Sequence, residues 1–322
     1  MKNILITGCS GEMGYGLITR LANRYEQLNI VAIDIKKPNK SIISKISNFY
    51  HIDITDQNQL NELVSGNEFD TIFHLAAILS TQAAANESIA HNVNVNGSLN
   101  ILRSIKTIEP CLVKFFFPSS IAVYNTSNES YDNPISEKQY CNPMTIYGAH
   151  KLYCEQIGSI LDNKKIIDFR SIRFPGIISA DTIPTGGTSD YGPEMLHAAV
   201  SGENYECFVR ANSQIPFMTM PDAIESILSL MQTPKERLRL NVYNVRGFAP
   251  TAKDFELEIQ KSFPHFNVSY IVNEKRQKMI DSWPYDIDDS LARADWSWIA
   301  RYNLQTAFAD YLVPKIKESY NK

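Results

Sequence analysis

Through the first half of the chain, short apolar runs alternate with stretches whose apolar side chains recur every three or four residues, and these two periods predict strands and helices in turn. Ile4 to Thr7, Ile30 to Asp34, Phe49 to Asp53, Thr71 to Ala76, Val113 to Pro118 and Asp168 to Phe174 read as strands. Glu12 to Tyr25, Asp56 to Val64, Glu87 to Lys106 and Met144 to Leu161 read as the helices between them; in the first, Leu17, Ile18 and Leu21 mark the apolar stripe. The alternation predicts an α/β fold, a Rossmann-type doubly wound parallel sheet covered by helices on both faces. After Phe174 it fails. A loop rich in Pro, Gly, Thr and Ser, Pro175 to Gly192, leads to strand-like pieces at Leu240 to Val245 and Val268 to Val272. Helical pieces follow the same loop at Asp222 to Met231, Ala252 to Ser262 and Leu304 to Lys317. The expected organisation is a sheet domain over residues 1–174 and a smaller region over 175–322, some of whose segments return to the first domain.

Composition excludes several classes. A chain of 322 residues, 44% hydrophobic and 20% charged, is long enough to bury a sizeable core. Its net charge of -4 comes without a cluster of Lys and Arg, so no nucleic-acid partner is expected. No segment stays apolar long enough to span a membrane, and the apolar run before Gly8 is too short for a signal peptide. The five cysteines, Cys9, Cys111, Cys141, Cys154 and Cys207, are odd in number and contain no C-x-x-C pair. Neither a disulfide framework nor a metal site is indicated, and a cytoplasmic, reducing compartment is expected.

Gly8-Cys9-Ser10-Gly11-Glu12-Met13-Gly14 is G-x-x-G-x-x-G between the first strand and the first helix, the context a dinucleotide-binding turn requires. Gly8 permits the tight turn, Gly11 lets backbone approach a pyrophosphate, and Gly14 lets helix and strand pack closely. The helix N-terminus offers oriented N–H groups to the phosphates. Glycines serve ordinary tight turns too, so the loop gains weight from Asp34, which ends the second strand about twenty residues on. There a carboxylate accepts from the adenosine ribose hydroxyls and repels a 2'-phosphate, which favours NAD over NADP. Ile35 and Lys36 continue this edge, and Lys36 with Lys37 leaves room for tolerance of a phosphate. Asp53 and Ile54, ending the third strand, suit the adenine edge; Asp53 reads equally well as a turn acid or helix N-cap.

Tyr147 and Lys151 stand four residues apart, on one helix face and one turn apart. Hydride removal from an alcohol needs a base for the hydroxyl proton, and a neighbouring ammonium favours the phenolate that would act as one. Ser119 and Ser120 follow the apolar run Phe115-Phe116-Phe117-Pro118, which places hydroxyls at the carboxyl edge of the sheet, and one of them can orient an alcohol. A lone Tyr and Lys at this spacing is most often a solvated helix face. The glycine loop and the edge serines reverse that estimate.

Taken together, these residues resemble the extended short-chain dehydrogenase/reductase family, within the NAD-dependent epimerase/dehydratase superfamily. Thr7 to Gly14, Asp34, Asp53, His74-Leu75-Ala76-Ala77, Val95-Asn96-Gly97, Pro118 to Tyr124, Tyr147 to Lys151 and Arg173-Phe174-Pro175-Gly176 carry the resemblance. It implies that Ser120, Tyr147 and Lys151 form the catalytic set and that Asn96 helps shape the site. It further implies that Leu75, Ala76 and Ala77 line the cofactor and that Ile177 meets the nicotinamide amide through its backbone. His150 stands where serine is frequent, outside the Tyr and Lys pair.

In the second half, Gly186 to Tyr191, Met218 to Ile224, Arg276-Gln277, Asp281-Ser282-Trp283-Pro284, Asp288-Asp289-Ser290, Ala292-Arg293 and Asp295-Trp296-Ser297-Trp298 are similar to the branch of the family that oxidises L-threonine at C3. Ser189 replaces a usual threonine, keeping the hydroxyl, and Ser297 a usual glycine. The branch implies a small amino-acid substrate, held by the Gly187 N–H and by hydroxyls of Thr188, Ser189 and Ser80, with Trp283 walling its methyl group. Thr188 and Ser189 also fit a plain polar loop or helix cap, and Trp283 simple core packing. Two other readings stay open on the same scaffold: an NAD-dependent sugar-nucleotide epimerase or dehydratase, and a sensor that binds NAD without chemistry. Apolar positions on Glu87 to Lys106 and Met144 to Leu161, beyond those that sheet packing needs, suit the helix pairing through which this family forms homodimers.

Overall fold

The computed structural model describes residues 1–105, 112–127, 134–180, 184 and 187–320; Lys106, Cys111 and Gly186 lie outside this set. The described strands are β1 (Asn3–Thr7), β2 (Asn29–Asp34), β3 (Asn48–His51), β4 (Thr71–His74), β5 (Lys114–Ser120) and β6 (Asp168–Phe174). They continue with β7 (Gly176–Ile178), β8 (Tyr205–Cys207), β9 (Phe217–Thr219), β10 (Val242–Asn244) and β11 (Val268–Tyr270). Seven of them form one sheet in the order β10-β6-β5-β4-β1-β2-β3. The pairs of β1 with β2 and β4, of β2 with β3 and of β4 with β5 are parallel. This is the Rossmann-type, doubly wound sheet. Its order reverses beside β1, and at such a point the loops leaving the carboxyl ends part to form a crevice. Ile4, Leu5 and Ile6 of β1 and Ile72 and Phe73 of β4 are fully buried. Strands covered on both faces therefore read as continuous apolar runs and not as alternation.

Two compact units divide the chain: Met1–Ser120 with Thr145–Arg173 and Ile224–Tyr243, and Ile121–Met144 with Phe174–Ala223 and Asn244–Lys322. A single cut at residue 174 misplaces Ile121–Met144, which packs within the second unit. In the first unit, buried Arg170 forms a two-pronged ion pair with Asp168 and donates to the carbonyls of Leu230 and Thr233, both at 2.6 Å. The two carbonyl bonds fasten the end of the returning helix Met220–Gln232 to β6, and the ion pair fixes the guanidinium that makes them.

Most expected elements form, with ends shifted by hydrogen bonding. β3 stops at His51 because Asp53 starts a turn, its Oδ1 accepting from Thr55 N and Oγ1 at 2.8 Å. Asp56 then caps the helix Gln57–Ser65. The helix expected over Glu87 to Lys106 is Glu87–His91, a wide π turn over Asn92–Gly97, and Ser98–Ile105. Periodicity alone does not reveal a π turn, since it inserts one residue into an unbroken apolar pattern. The pieces Ser80–Ala85, Glu274–Asp281 and Ser290–Trp296 are helices that the apolar pattern did not announce.

The helix Ile146–Asn163 lies close on the sheet because Gly158 has no side chain: a Cβ there would stand 2.2 Å from the Phe169 ring on β6. In the second unit, β7 pairs with β9 and β8 with β11, around a cluster in which Tyr191, Phe217 and Phe255 meet edge to face. Ser297 ends the helix Ser290–Trp296 at φ 58°, with Ser297 N donating to Arg293 O and Trp298 N to Ala292 O. This left-handed conformation, which costs an L side chain roughly 1–2 kcal/mol, explains why the resemblance places glycine there. Ser297→Gly should therefore stabilise the protein by about 0.5–1 kcal/mol after the entropy lost from a freer unfolded chain. The urea midpoint, at unchanged m-value, reads this directly, and a lower midpoint would show that the turn carries no strain.

Candidate active site

The glycine loop leaves β1 at the point where the sheet reverses. Gly8 adopts φ +71°, and a Cβ on it would meet Ala76 N at 2.6 Å; one on Gly14 would meet Gly8 O at 2.4 Å. Around Gly11 a Cβ would meet only Gly8 O, at 3.3 Å, so the outer side of the turn is open to backbone approach. Gly11 is also the N-cap of the helix Glu12–Arg24 and has no side chain with which to cap the first turn. A cradle of this kind suits a pyrophosphate. Asp34 is half-buried, and its two oxygens accept from Ser10 N and Lys36 N, each at 2.9 Å, while Ser10 Oγ donates to Lys36 O at 2.6 Å. The carboxylate thus fastens the loop to the end of β2 and keeps further lone pairs for hydroxyl donors. Ile35 is 57% exposed beside it. Glu12 is exposed and Met13 half-buried. The Ile54 side chain is buried under Gly97 and its carbonyl accepts from Asn100 Nδ2, where the π turn presses against it.

β5 runs through Ser120, and Thr145 caps the helix Ile146–Asn163 by accepting from Gly148 N, which puts Tyr147 in the first turn. The two edge serines separate here. Ser119 is buried and donates to Glu155 Oε1, whereas Ser120 is half-buried at the strand end. Lys151 is buried, donates to Pro118 O at 2.6 Å, and stands 5.5 Å from the Tyr147 ring centroid. Burial pushes its ammonium down to about 8, against the upward pull of Cys154 and Glu155. Burial also pushes the Tyr147 phenol well above its ordinary value. In the chain by itself desolvation is the one cause acting on the phenol, and the expected lowering by Lys151 is not seen.

Leu75 N donates to Thr7 O, and Ala76 N donates to Thr7 Oγ1 at 3.1 Å, which fixes the loop Leu75, Ala76, Ala77 after β4. Thr7 Oγ1 and His74 Nδ1 lie 2.9 Å apart, as do His74 Nε2 and Ser98 Oγ. Ser98 Oγ donates to Asn94 O at 2.7 Å, so its one proton is spent and His74 Nε2 must be the donor to it. Nδ1 then accepts from Thr7. One neutral tautomer satisfies every group, and burial in turn holds the His74 imidazole down to about 3. Asn94 clamps Ile78 with both ends of its amide, donating to Ile78 O and accepting from Ile78 N. The buried amide is thus Asn94, while Asn96 is exposed and bonds Asn92; the extra residue of the π turn shifts the inward face. Ser80 follows this loop and is half-buried.

In the second unit, the Gly187 N–H donates to Asp190 Oδ2, and its carbonyl accepts from Arg276 Nη2, both at 2.6 Å. Gly187 is therefore engaged within the loop and offers no N–H to a ligand, contrary to expectation. Arg276 also lies 3.1 Å from the Phe208 ring centroid. Thr188 is buried and Ser189 half-buried just before the helix Tyr191–Ser201. Trp283 is 6% exposed, packed as a core side chain. Ile177 is half-buried on β7. Among the described residues no cluster of His, Cys, Asp and Glu is arranged to hold a metal ion.

The model of the NAD dependent epimerase/dehydratase family matches residues 4–245. The chain belongs to that family. A mitochondrial L-threonine 3-dehydrogenase of Bos taurus is 35% identical over 303 residues, which cover 94% of this chain and 80% of that protein. An L-threonine dehydrogenase of Clostridium difficile superposes with a TM-score of 0.91 and 34% identity, over 99% of this chain and 98% of its own. A monomeric L-threonine 3-dehydrogenase from a metagenome superposes at 0.87 with 33% identity, over 98% and 99%. Membership of the NAD dependent epimerase/dehydratase family brings NAD as cofactor, and the glycine cradle and Asp34 fit it.

Asn94 and Glu155 went unnamed in the sequence reading, and His74 and Arg173 were named there without a role of their own. Glu155 continues the four-residue step of Tyr147 and Lys151, a signal that was there to be used. The neutral His74 has a consequence for stability. Its folded pKa lies below its unfolded value near 6.5, so stability is constant above that pH. It falls below it, as the unfolded chain takes up a proton that the folded one refuses. From about pH 6 to pH 4.5 the His74→Gln variant should lose stability less steeply than the unaltered protein, by ~1.4 kcal/mol per pH unit. Denaturant titrations at stepped pH measure the two slopes, and equal slopes would mean that His74 carries a proton in the fold.

Proposed function

We propose that this chain oxidises the C3 hydroxyl of L-threonine to 2-amino-3-oxobutanoate. The observation that carries the reading is that the likeness to proteins named L-threonine dehydrogenases covers 94% of the chain in sequence and 99% in structure, and so runs through both units. NAD, when bound, supplies the hydride acceptor and a positively charged ring. Gly8, Ser10, Gly11, Glu12, Met13 and Gly14 hold its pyrophosphate, Asp34, Ile35 and Lys36 its adenosine ribose, and Asp53 and Ile54 the adenine edge. Leu75, Ala76, Ala77 and Ile177 line the rest. Tyr147 takes the hydroxyl proton, Ser120 donates to the substrate oxygen, and the Lys151 ammonium stabilises the phenolate against the burial that opposes it. Ser80, Thr188 and Ser189 present hydroxyls to the amino-acid end, and Trp283 faces the methyl group. With the Gly187 N–H engaged by Asp190, the carboxylate relies on side-chain donors.

Purified protein with NAD should form NADH when L-threonine is added, and Tyr147→Phe should lower kcat by about 10²–10⁴-fold with the fold intact. Undiminished turnover by that variant would remove Tyr147 as the base. Conversion of a UDP-sugar without net NADH would favour the epimerase reading.

We further propose a homodimer in a cytoplasmic, reducing compartment. Ile89, Tyr153 and Ile160 are 53%, 44% and 46% exposed on the helices Glu87–His91 and Ile146–Asn163, apolar surface that pairing would cover. The described cysteines Cys9, Cys141, Cys154 and Cys207 are free thiols, and no described helix is long and apolar enough to cross a membrane. The similar metagenome protein is named monomeric and the bovine one mitochondrial, so the oligomeric state is tested on this chain itself. Light scattering should give twice the chain mass, falling to one chain mass in Ile89→Asp; a single-chain mass for the unaltered protein would sink the dimer.

A further inference from the structure

Three charged side chains of the first unit, Lys151, Glu155 and Arg173, are almost fully buried, at 4%, 1% and 4% exposure. Glu155 joins the other two elements of the candidate site. Its Oε1 accepts from Arg173 Nε at 2.9 Å and from Ser119 Oγ, and its Oε2 accepts from Arg173 Nη2 at 2.6 Å. Arg173 stands on β6, Ser119 on β5 immediately before Ser120, and Glu155 on the helix that carries Tyr147 and Lys151. Lys151 in turn holds Pro118 O, so consecutive residues at the end of β5 are each tied to the same helix face.

We infer that Glu155 is a positioning residue for the reaction: through Arg173 and Ser119 it holds the strand end bearing Ser120 in register with the helix face bearing Tyr147 and Lys151. The inference rests on the assignment of Tyr147 and Lys151 under Proposed function. Its physical basis is the cost of a buried charge. A carboxylate this deep persists only when paired and fully hydrogen-bonded, and the forked guanidinium with the serine hydroxyl meets that demand in one geometry. The pair therefore has little freedom to slide.

The same carboxylate sets the field at Lys151. The titratable groups around that ammonium are Tyr147, His150, Cys154 and Glu155 from its own helix, His74 from β4 and, through Glu155, Arg173 from β6. Of these Glu155 is the anion: His74 is neutral, burial and the neighbouring cations hold His150 down, and burial pushes the Cys154 thiol up to about 11. Removing the carboxylate takes away the anion beside Lys151, and removing Arg173 takes away the partner that keeps that carboxylate ionised. Both changes therefore make the Lys151 proton easier to lose.

The experiment follows the pH dependence of kcat with L-threonine and NAD in the full chain. Glu155→Gln should lower kcat at least about tenfold and move the alkaline limb of the profile down by about one pH unit or more, with the threonine KM little changed. Arg173→Gln, which removes the partner that keeps Glu155 ionised, should lower kcat and move that limb down as well. Unshifted limbs in folded samples of both variants overturn the inference. If neither charge variant folds, Ser119→Ala decides, since it leaves the ion pair in place: a several-fold fall in kcat at constant KM supports the positioning role, and unaltered kcat overturns it. Tyr147→Phe is run alongside. Full activity there refutes the catalytic assignment itself, whereas an inactive Tyr147→Phe with unshifted Glu155 and Arg173 profiles refutes only the role of Glu155.

Discussion

The order β10-β6-β5-β4-β1-β2-β3 makes β1 the strand at which the sheet turns outward in both directions, and the geometry of the first unit follows from that reversal. Connections on either side of such a strand leave over opposite faces, so the loops after β1 and β4 separate instead of crowding together. Space opened in this way is useful only if backbone comes close to it. Gly8, Gly11 and Gly14 meet that demand in distinct ways: a positive φ, an unfilled outer side, and a helix pressed against the turn. Asp34 then spans the opening between the loop and β2 through two backbone N–H groups.

Beneath the loops, polar groups removed from water are satisfied in chains, and each chain has a fixed direction. From Ala76 N through Thr7, His74 and Ser98 to Asn94 O, every donor has one acceptor, and a proton added to His74 Nδ1 would set it against the Thr7 hydroxyl that donates to it. The second chain is ionic, with Glu155 held by Arg173 and Ser119. Both connect the elements that carry candidate site residues, so rigidity at the site comes from polar satisfaction as much as from the apolar core. The wide turn over Asn92–Gly97 belongs to the same arrangement, since it frees Asn94 to clamp the loop after β4.

The second unit is built on other terms. Its parallel pairs are short, and an edge-to-face cluster of Tyr191, Phe217 and Phe255 supplies its centre. The loop at Gly187 is held by Asp190 and Arg276, two charged residues whose hydrogen bonds consume both polar groups of the glycine backbone. What remains for a ligand in that segment is side-chain chemistry, chiefly hydroxyls.

Local pattern by itself determined the strands of the main sheet, the glycine turn with its helix, the Asp34 edge and the Tyr147 and Lys151 pair, because each depends on neighbours within a few residues. Burial on both faces writes an apolar run, a tight turn demands glycine, and a four-residue step defines one helix face. Only the tertiary structure decided that Ser119 is tied to Glu155, that the inward amide is Asn94 and not Asn96, that Gly187 is already engaged, and that the Tyr147 phenol is pushed up by burial. It also assigned Ile121–Met144 to the second unit and Ile224–Tyr243 to the first. These outcomes depend on desolvation and on partners distant in sequence, such as Ser119 with Glu155 and Gly187 with Arg276, and no local period encodes which distant donor will reach a given acceptor.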